Sequence, residues 1–231
     1  MLDLLRARLG QKTNPVNPRD SGGGLPERFR GRLEARADAA AASRRLPVID
    51  LGATVFAPEE AGDGLHFTGD HRMAARTRQG LVSGDGEIEL AQALDAKMRS
   101  LLGRSLRLRS VAAGSCGGCE AELTALGNVV FDMARFGVQF VASPRHADGI
   151  VITGVVSANM REALEKTYEA VPDPRIVIAV GACAISGGVF QGSDQTTAIP
   201  PSIPVDLWIP GCPPHPLTLL DGLLRLLGRL E

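Results

Sequence analysis

Apolar positions in the second half of the chain fall into short runs separated by longer stretches of helical spacing. Leu106 to Val111, Val138 to Ala142, Gly149 to Thr153, Ile176 to Val180 and Val205 to Ile209 read as strands. Two of them, Gly149 to Thr153 and Ile176 to Val180, are almost continuously apolar, as strands buried on both faces are. Between and after them, Glu120 to Gly127, Ala158 to Ala170 and the leucine-rich stretch Leu217 to Leu230 read as helices, the second ended by Pro172-Asp173-Pro174. Strands alternating with helices predict an α/β fold, a parallel sheet with helices on both faces. The leucines of 217–230 cover more than one helical stripe, which suits either burial on both sides, partly by a partner chain, or simple packing onto its own sheet.

The first hundred residues lack this rhythm. Residues 1–50 are polar and arginine-rich, broken by Asn14-Pro15, Asn17-Pro18 and Ser21-Gly22-Gly23-Gly24, and predict an irregular arm. Within that stretch, Arg32 to Arg45 suits one helix ending before Pro47, and Leu46 to Ala57 a short strand with a turn. His66 to Leu81 carries His71, Arg72, Arg76 and Arg78 and reads as a solvated basic face. Glu87 to Leu102 places Ile88, Leu90, Ala91, Leu94, Met98, Leu101 and Leu102 near helical spacing, with Gly103 as the stop. The resulting division is an arm over 1–85, a linking helix over 86–104 and an α/β domain over 105–231.

Composition narrows the class. The 231 residues are 44% hydrophobic and 22% charged with a net charge of −1, which excludes disorder, collagen and a membrane bundle. That charge argues against a general nucleic-acid binder. No run reaches the roughly 18 apolar residues needed to cross a bilayer, and the first residues lack the charged and apolar regions of a secretory signal. A cytoplasmic location is the expectation. Neither a Walker-type loop nor GxGxxG is present.

There are four cysteines, Cys116, Cys119, Cys183 and Cys212, none of them in the first half. Each follows a predicted strand, and in an open α/β sheet those carboxyl ends gather along one edge, where ligands bind. A reduced compartment argues against disulfides, and a thioredoxin-type Cys-x-x-Cys leaves two cysteines unexplained. Zinc and an iron–sulfur cluster both accept four thiolates, so both stay open. The singletons Cys183 and Cys212 favour the cluster, because zinc knuckles usually supply cysteines in pairs. Gly117, Gly118 and Gly211 let backbone amides approach the sulfurs.

The runs GSCGGCEAEL, RFGVQFVASPRHADGIVITG, GACAISGGVF and PVDLWIPGCPPHP resemble the small, cluster-bearing subunit of membrane-bound energy-converting [NiFe] hydrogenases. That group, group 4, includes the formate hydrogenlyase type and is homologous to the 20-kDa B-type subunit of respiratory complex I. The resemblance covers about residues 105–231. It implies a flavodoxin-like fold and one [4Fe-4S] cluster on Cys116, Cys119, Cys183 and Cys212, next to the active site of a large catalytic subunit. It further implies a hetero-oligomer with other iron–sulfur subunits and membrane subunits, peripheral on the inner face of the cell membrane. Complex I relatives carry adjacent cysteines at the first position, so the Cys-x-x-Cys loop sides with the hydrogenases. The alternatives are a complex I B-type subunit passing electrons to quinone and a structural zinc protein.

The fragments LPERFRG, LPVIDLGATVF and HFTGDHRMAARTRQGLV resemble segments flanking a ferredoxin-like module in fused relatives. Without a cysteine in 1–115, they read as a degenerate remnant serving as a docking arm. Glu122 lies one helical turn past Cys119 on the same face. The family carries a glutamate at this spacing, which implies a proton path, whereas Glu120 reads as a first-turn complement to the helix dipole. His146 suits a capping or packing contact. His215, three residues past Cys212, suits either the cluster surface or plain solvent. Arg135 and Arg145 suit acidic groups of a partner.

Overall fold

The structure is a computed structural model that describes residues 29–35, 65–81, 89–102 and 105–230, together with Val16 and Leu25. Two short strands, β1 (Leu33–Ala35) and β2 (Leu65–Phe67), pair antiparallel ahead of helix α1 (Ala96–Leu102). The main domain then runs β3 (Leu106–Ala112), α2 (Gly118–Ala125), β4 (Val138–Phe140), β5 (Gly149–Thr153), β6 (Val156–Ser157) and α3 (Ala158–Glu169). It continues through β7 (Ile176–Val180), α4 (Ala182–Ser186), β8 (Thr196–Thr197), β9 (Leu207–Ile209) and α5 (Pro216–Leu226).

Five of these strands form one parallel sheet in the order β4-β3-β5-β7-β9. Numbered within the sheet, that is the doubly wound 2-1-3-4-5 order of flavodoxin-like folds. Pleat alternation divides the apolar strand residues between two cores. Val151, Ile176, Ile178 and Val180 face α2 and α5, while Ile150, Ile152 and Val177 face Leu164 of α3. Helices therefore cover both faces, as the continuous apolar runs required.

Three expectations are corrected. Helix α1 begins at Ala96, not near Glu87, and residues 89–95 are not helical. Their backbone N–H groups donate elsewhere: Glu89 to Gly80 O, Ala91 to Ala74 O and Leu94 to Leu226 O. Asp95 then opens the helix, its Oδ1 accepting from Met98 N at 2.9 Å as an N-cap does. Of the helix expected over 32–45, Leu33–Ala35 is strand, because it pairs with Leu65–Phe67. The rest of that stretch and the strand expected over 46–57 lie outside the described residues.

His66 to Leu81 is a solvated basic face only in part: Arg78 is exposed, but the segment also lines the core. His71 is 1% exposed, Ala74, Ala75 and Leu81 are fully buried, and Arg72 is paired with Asp70 at 2.7 Å. Ala75 exchanges both backbone hydrogen bonds with Trp208, capping the outer edge of β9. This segment answers the question of the leucine-rich helix. Every residue of α5 is buried, with the sheet on one side and Ala74, Ala91, Leu94 and Leu102 of the same chain packed into that core. Of the two alternatives for this helix, burial within the chain is the one observed.

Candidate metal centre

The three cysteine loops follow β3, β7 and β9 and meet at the carboxyl edge of the sheet. The first, bearing Cys116 and Cys119, leaves β3 beside the point where strand order reverses, the usual ligand crevice of such sheets. Cys119 enters with the first turn of α2, and Cys183 lies in the short helix α4. The second and third loops are tied backbone to backbone, Gly181 N donating to Ile209 O and Ala182 N to Gly211 O, both at 2.8 Å. The first packs onto them: a Cβ on Gly181 would stand 2.6 Å from Cys119 Sγ, and one on Gly118 would stand 3.6 Å from Cys116 Sγ and 3.7 Å from Pro213. Gly211 packs directly on Pro214.

All four cysteines are free. Cys116 is exposed, Cys183 and Cys212 are half-buried, and Cys119 is buried. Burial, the Glu120 carboxylate and the other three sulfurs push the Cys119 thiol from the ordinary 9.0 up to about 12. Burial, then Cys183 and Cys116, lift Cys212 to about 11. Cys183 also rises, through burial and Cys116, against its own backbone amide. Each sulfur thus lies in the field of the others. Among the described residues, no three His, Cys, Asp or Glu side chains are arranged to hold one metal ion.

Around this centre the other singled-out residues separate. Glu122 is half-buried, and burial raises its carboxyl above the usual range. His215 caps α5, its Nδ1 accepting from Leu217 N at 3.2 Å, and its ring meets Phe29 and Phe131 edge-on. It is therefore a half-buried structural histidine, and burial lowers its pKa. His146 and Arg145 are exposed in the turn before β5. Arg135 lies over the Phe136 ring and donates to Val16 O. Sequence reasoning missed the partners of Glu120: Ser115 Oγ donates to its Oε1, and so does Thr153 Oγ1 at 2.6 Å. Nothing local in sequence marks the second partner, which is 33 residues away.

No helix among the described residues is long and apolar enough to cross a membrane. The profile of the family described as NADH ubiquinone oxidoreductase, 20 Kd subunit, matches residues 116–226, which contain all four cysteines. The chain is 44% identical over 136 residues to the probable membrane-bound hydrogenase subunit mbhJ of Pyrococcus furiosus, covering 58% of this chain and 81% of that one. It is 39% identical over 150 residues to formate hydrogenlyase subunit 7 of Escherichia coli, covering 62% of this chain and 56% of that relative. Among solved structures, it resembles a chain of the membrane-bound sulfane sulfur reductase, an archaeal respiratory membrane complex. That likeness has a TM-score of 0.50 and 32% identity, over 58% of this chain and 75% of that one. From these matches, all of them to oxidoreductase subunits, the chain belongs to the NADH ubiquinone oxidoreductase 20 kDa subunit family.

Proposed function

We propose that this chain is an electron-transfer subunit carrying one [4Fe-4S] cluster on Cys116, Cys119, Cys183 and Cys212. Its place would be beside the active site of a large catalytic subunit in a membrane-bound complex of the hydrogenase or formate hydrogenlyase type. The observation that carries this reading is the convergence of three strand-end loops, with four free thiols in one another's field. The donor set fits the group: four sulfurs match its four irons. When bound, the cluster supplies reversible one-electron storage. The protein supplies the thiolates, the amides of Gly117, Gly118 and Gly211 toward the sulfurs, and the buried floor at Cys119. Glu122, one turn past Cys119, would hold a proton near the site, a role that its raised carboxyl favours.

Identity to the Pyrococcus hydrogenase subunit and the Cys-x-x-Cys loop favour the hydrogenase branch. The family's own description favours the second reading, a complex I B-type subunit delivering electrons to quinone. In either case the chain would work with a large subunit, further iron–sulfur subunits and membrane subunits, held at the inner face of the membrane through them. The test is anaerobic reconstitution of the full chain with iron and sulfide, followed by metal and sulfide analysis. Brown protein with a full cluster's iron supports the reading, and stoichiometric zinc without labile sulfide overturns it. Purifying the tagged chain with its partners and assaying hydrogen-dependent against quinone-dependent turnover separates the two branches.

A further inference from the structure

Glu120 looks at first like an ordinary acidic residue in the first turn of α2, but its contacts are not those of a solvated dipole partner. Its Oε1 accepts from Ser115 Oγ and from Thr153 Oγ1, the latter at 2.6 Å, while Oε2 is buried without a hydrogen-bond partner among the protein's groups. Ser115 immediately precedes Cys116, and Glu120 immediately follows Cys119. The two ends of the cysteine loop therefore close on one carboxylate oxygen. Thr153 is the last residue of β5, a central strand, and is fully buried. Its hydroxyl has one proton. The 2.6 Å approach to Glu120, against 3.3 Å to Val111 O, assigns that proton to the carboxylate. The backbone next to it leaves no slack, for a Cβ on Gly154 would lie 2.6 Å from Ser115 N.

We propose that Glu120 is a positioning residue that pins both ends of the Cys116–Cys119 loop to the carboxyl end of β5. The link is one carboxylate oxygen shared by two hydroxyl donors, so substitution can grade it. A glutamine keeps an amide oxygen that accepts from Ser115 and Thr153, whereas an alanine loses both hydrogen bonds.

The inference rests on the cluster reading, and the experiment keeps the two apart. Full-length wild type, E120Q, E120A and T153V are reconstituted anaerobically with iron and sulfide. Each is then measured for iron content, electron paramagnetic resonance line shape after reduction and far-ultraviolet circular dichroism. A wild type that takes up no cluster refutes the proposed function. With wild type loaded, the clamp predicts loss of iron in E120A, partial loss or a heterogeneous signal in T153V, and wild-type iron and line shape in E120Q, with helix and sheet content unchanged throughout. Full iron and a wild-type line shape in E120A, or an E120Q as depleted as E120A, overturn the clamp.

Discussion

Gly181 is the position where one methyl group tests the geometry of the whole centre. Its φ of 89° and ψ of 158° lie in a region that side-chain-bearing residues essentially avoid, and holding alanine there costs on the order of 1–3 kcal/mol. Its Cβ would also stand 2.6 Å from Cys119 Sγ, inside van der Waals contact, and overpacking of this kind costs about 1–3 kcal/mol more. Gly181→Ala should therefore destabilise the metal-free chain by roughly 2–6 kcal/mol, less where the free thiol swings aside. Two other glycines supply the controls. Gly117 has a φ of 88° with nothing within 4 Å of a built Cβ, so its alanine variant carries only the backbone cost, about 1–2 kcal/mol. Gly69 has neither a left-handed φ nor a neighbour within 4 Å, and its alanine variant should stay within about 0.5 kcal/mol of wild type. Urea unfolding of the three apo variants measures this ladder. Reconstitution then adds a second reading, because a free thiol can rotate away from the methyl whereas a ligated sulfur cannot. Gly181→Ala should accordingly lose iron out of proportion to its stability. If it binds iron like wild type and unfolds no more easily than Gly117→Ala, Cys119 does not lie against Gly181 and the convergence of the loops is wrong.

Further expectations rest on other parts of the molecule. Asp221 and Arg225 form a buried pair at 3.0 Å, with the carboxylate side chain 1% exposed, so Asp221→Ala should cost about 3–5 kcal/mol in urea unfolding. A loss under 1 kcal/mol would show the pair to be solvated. In the metal-free chain at neutral pH, iodoacetamide should label exposed Cys116 well before buried Cys119, because the thiolate is the nucleophile and the Cys119 thiol is pushed up to about 12. Mass-spectrometric mapping with equal labelling rates would contradict that burial. A thiol whose pKa is raised on folding contributes stability that is complete below the unfolded value and is lost as pH rises through the folded one. Apo stability should thus decline from about pH 9 toward 12, and more shallowly in Cys119→Ala, as denaturation curves at stepped pH would register.

Much of the sheet was legible because burial on both faces writes an unbroken apolar run, as in Ile176 to Val180. The end of α3 was legible because Pro172 cannot continue a helix. The stretch before α1 misled for a physical reason. Ala91 and Leu94 are buried, as the helical pattern demands, but they reach the core from a non-helical segment whose N–H groups go to Ala74 and Leu226. Periodicity reports which residues are buried, and only Asp95, a good N-cap, marked where the helix truly starts. His71 and Arg72 read as surface because a single chain position cannot reveal Asp70 and Asp221 beside them. At the centre, the cysteines were legible from their strand-end loops, whereas the clamp at Glu120 was not, since Thr153 reaches it only through the fold.

The geometry and the charge of the centre are prepared to different degrees. Its positions are fixed: β5 and β7 are wholly buried, the loops after β7 and β9 share backbone hydrogen bonds, and Glu120 ties the Cys116–Cys119 loop to β5. Sites held by such elements lose little precision when their occupant changes oxidation state. The charge is the reverse case. Cys119 and Cys212 rise to about 12 and about 11, so without a metal these thiols keep their protons at neutral pH. A bound metal cation would offset their repulsion, so loading under the proposed function would expel protons and, because the unfolded chain offers no such constellation, would stabilise the fold. One cluster of the proposed kind would use all four cysteines of these 231 residues, so electrons passing through it would be exchanged with groups on other subunits.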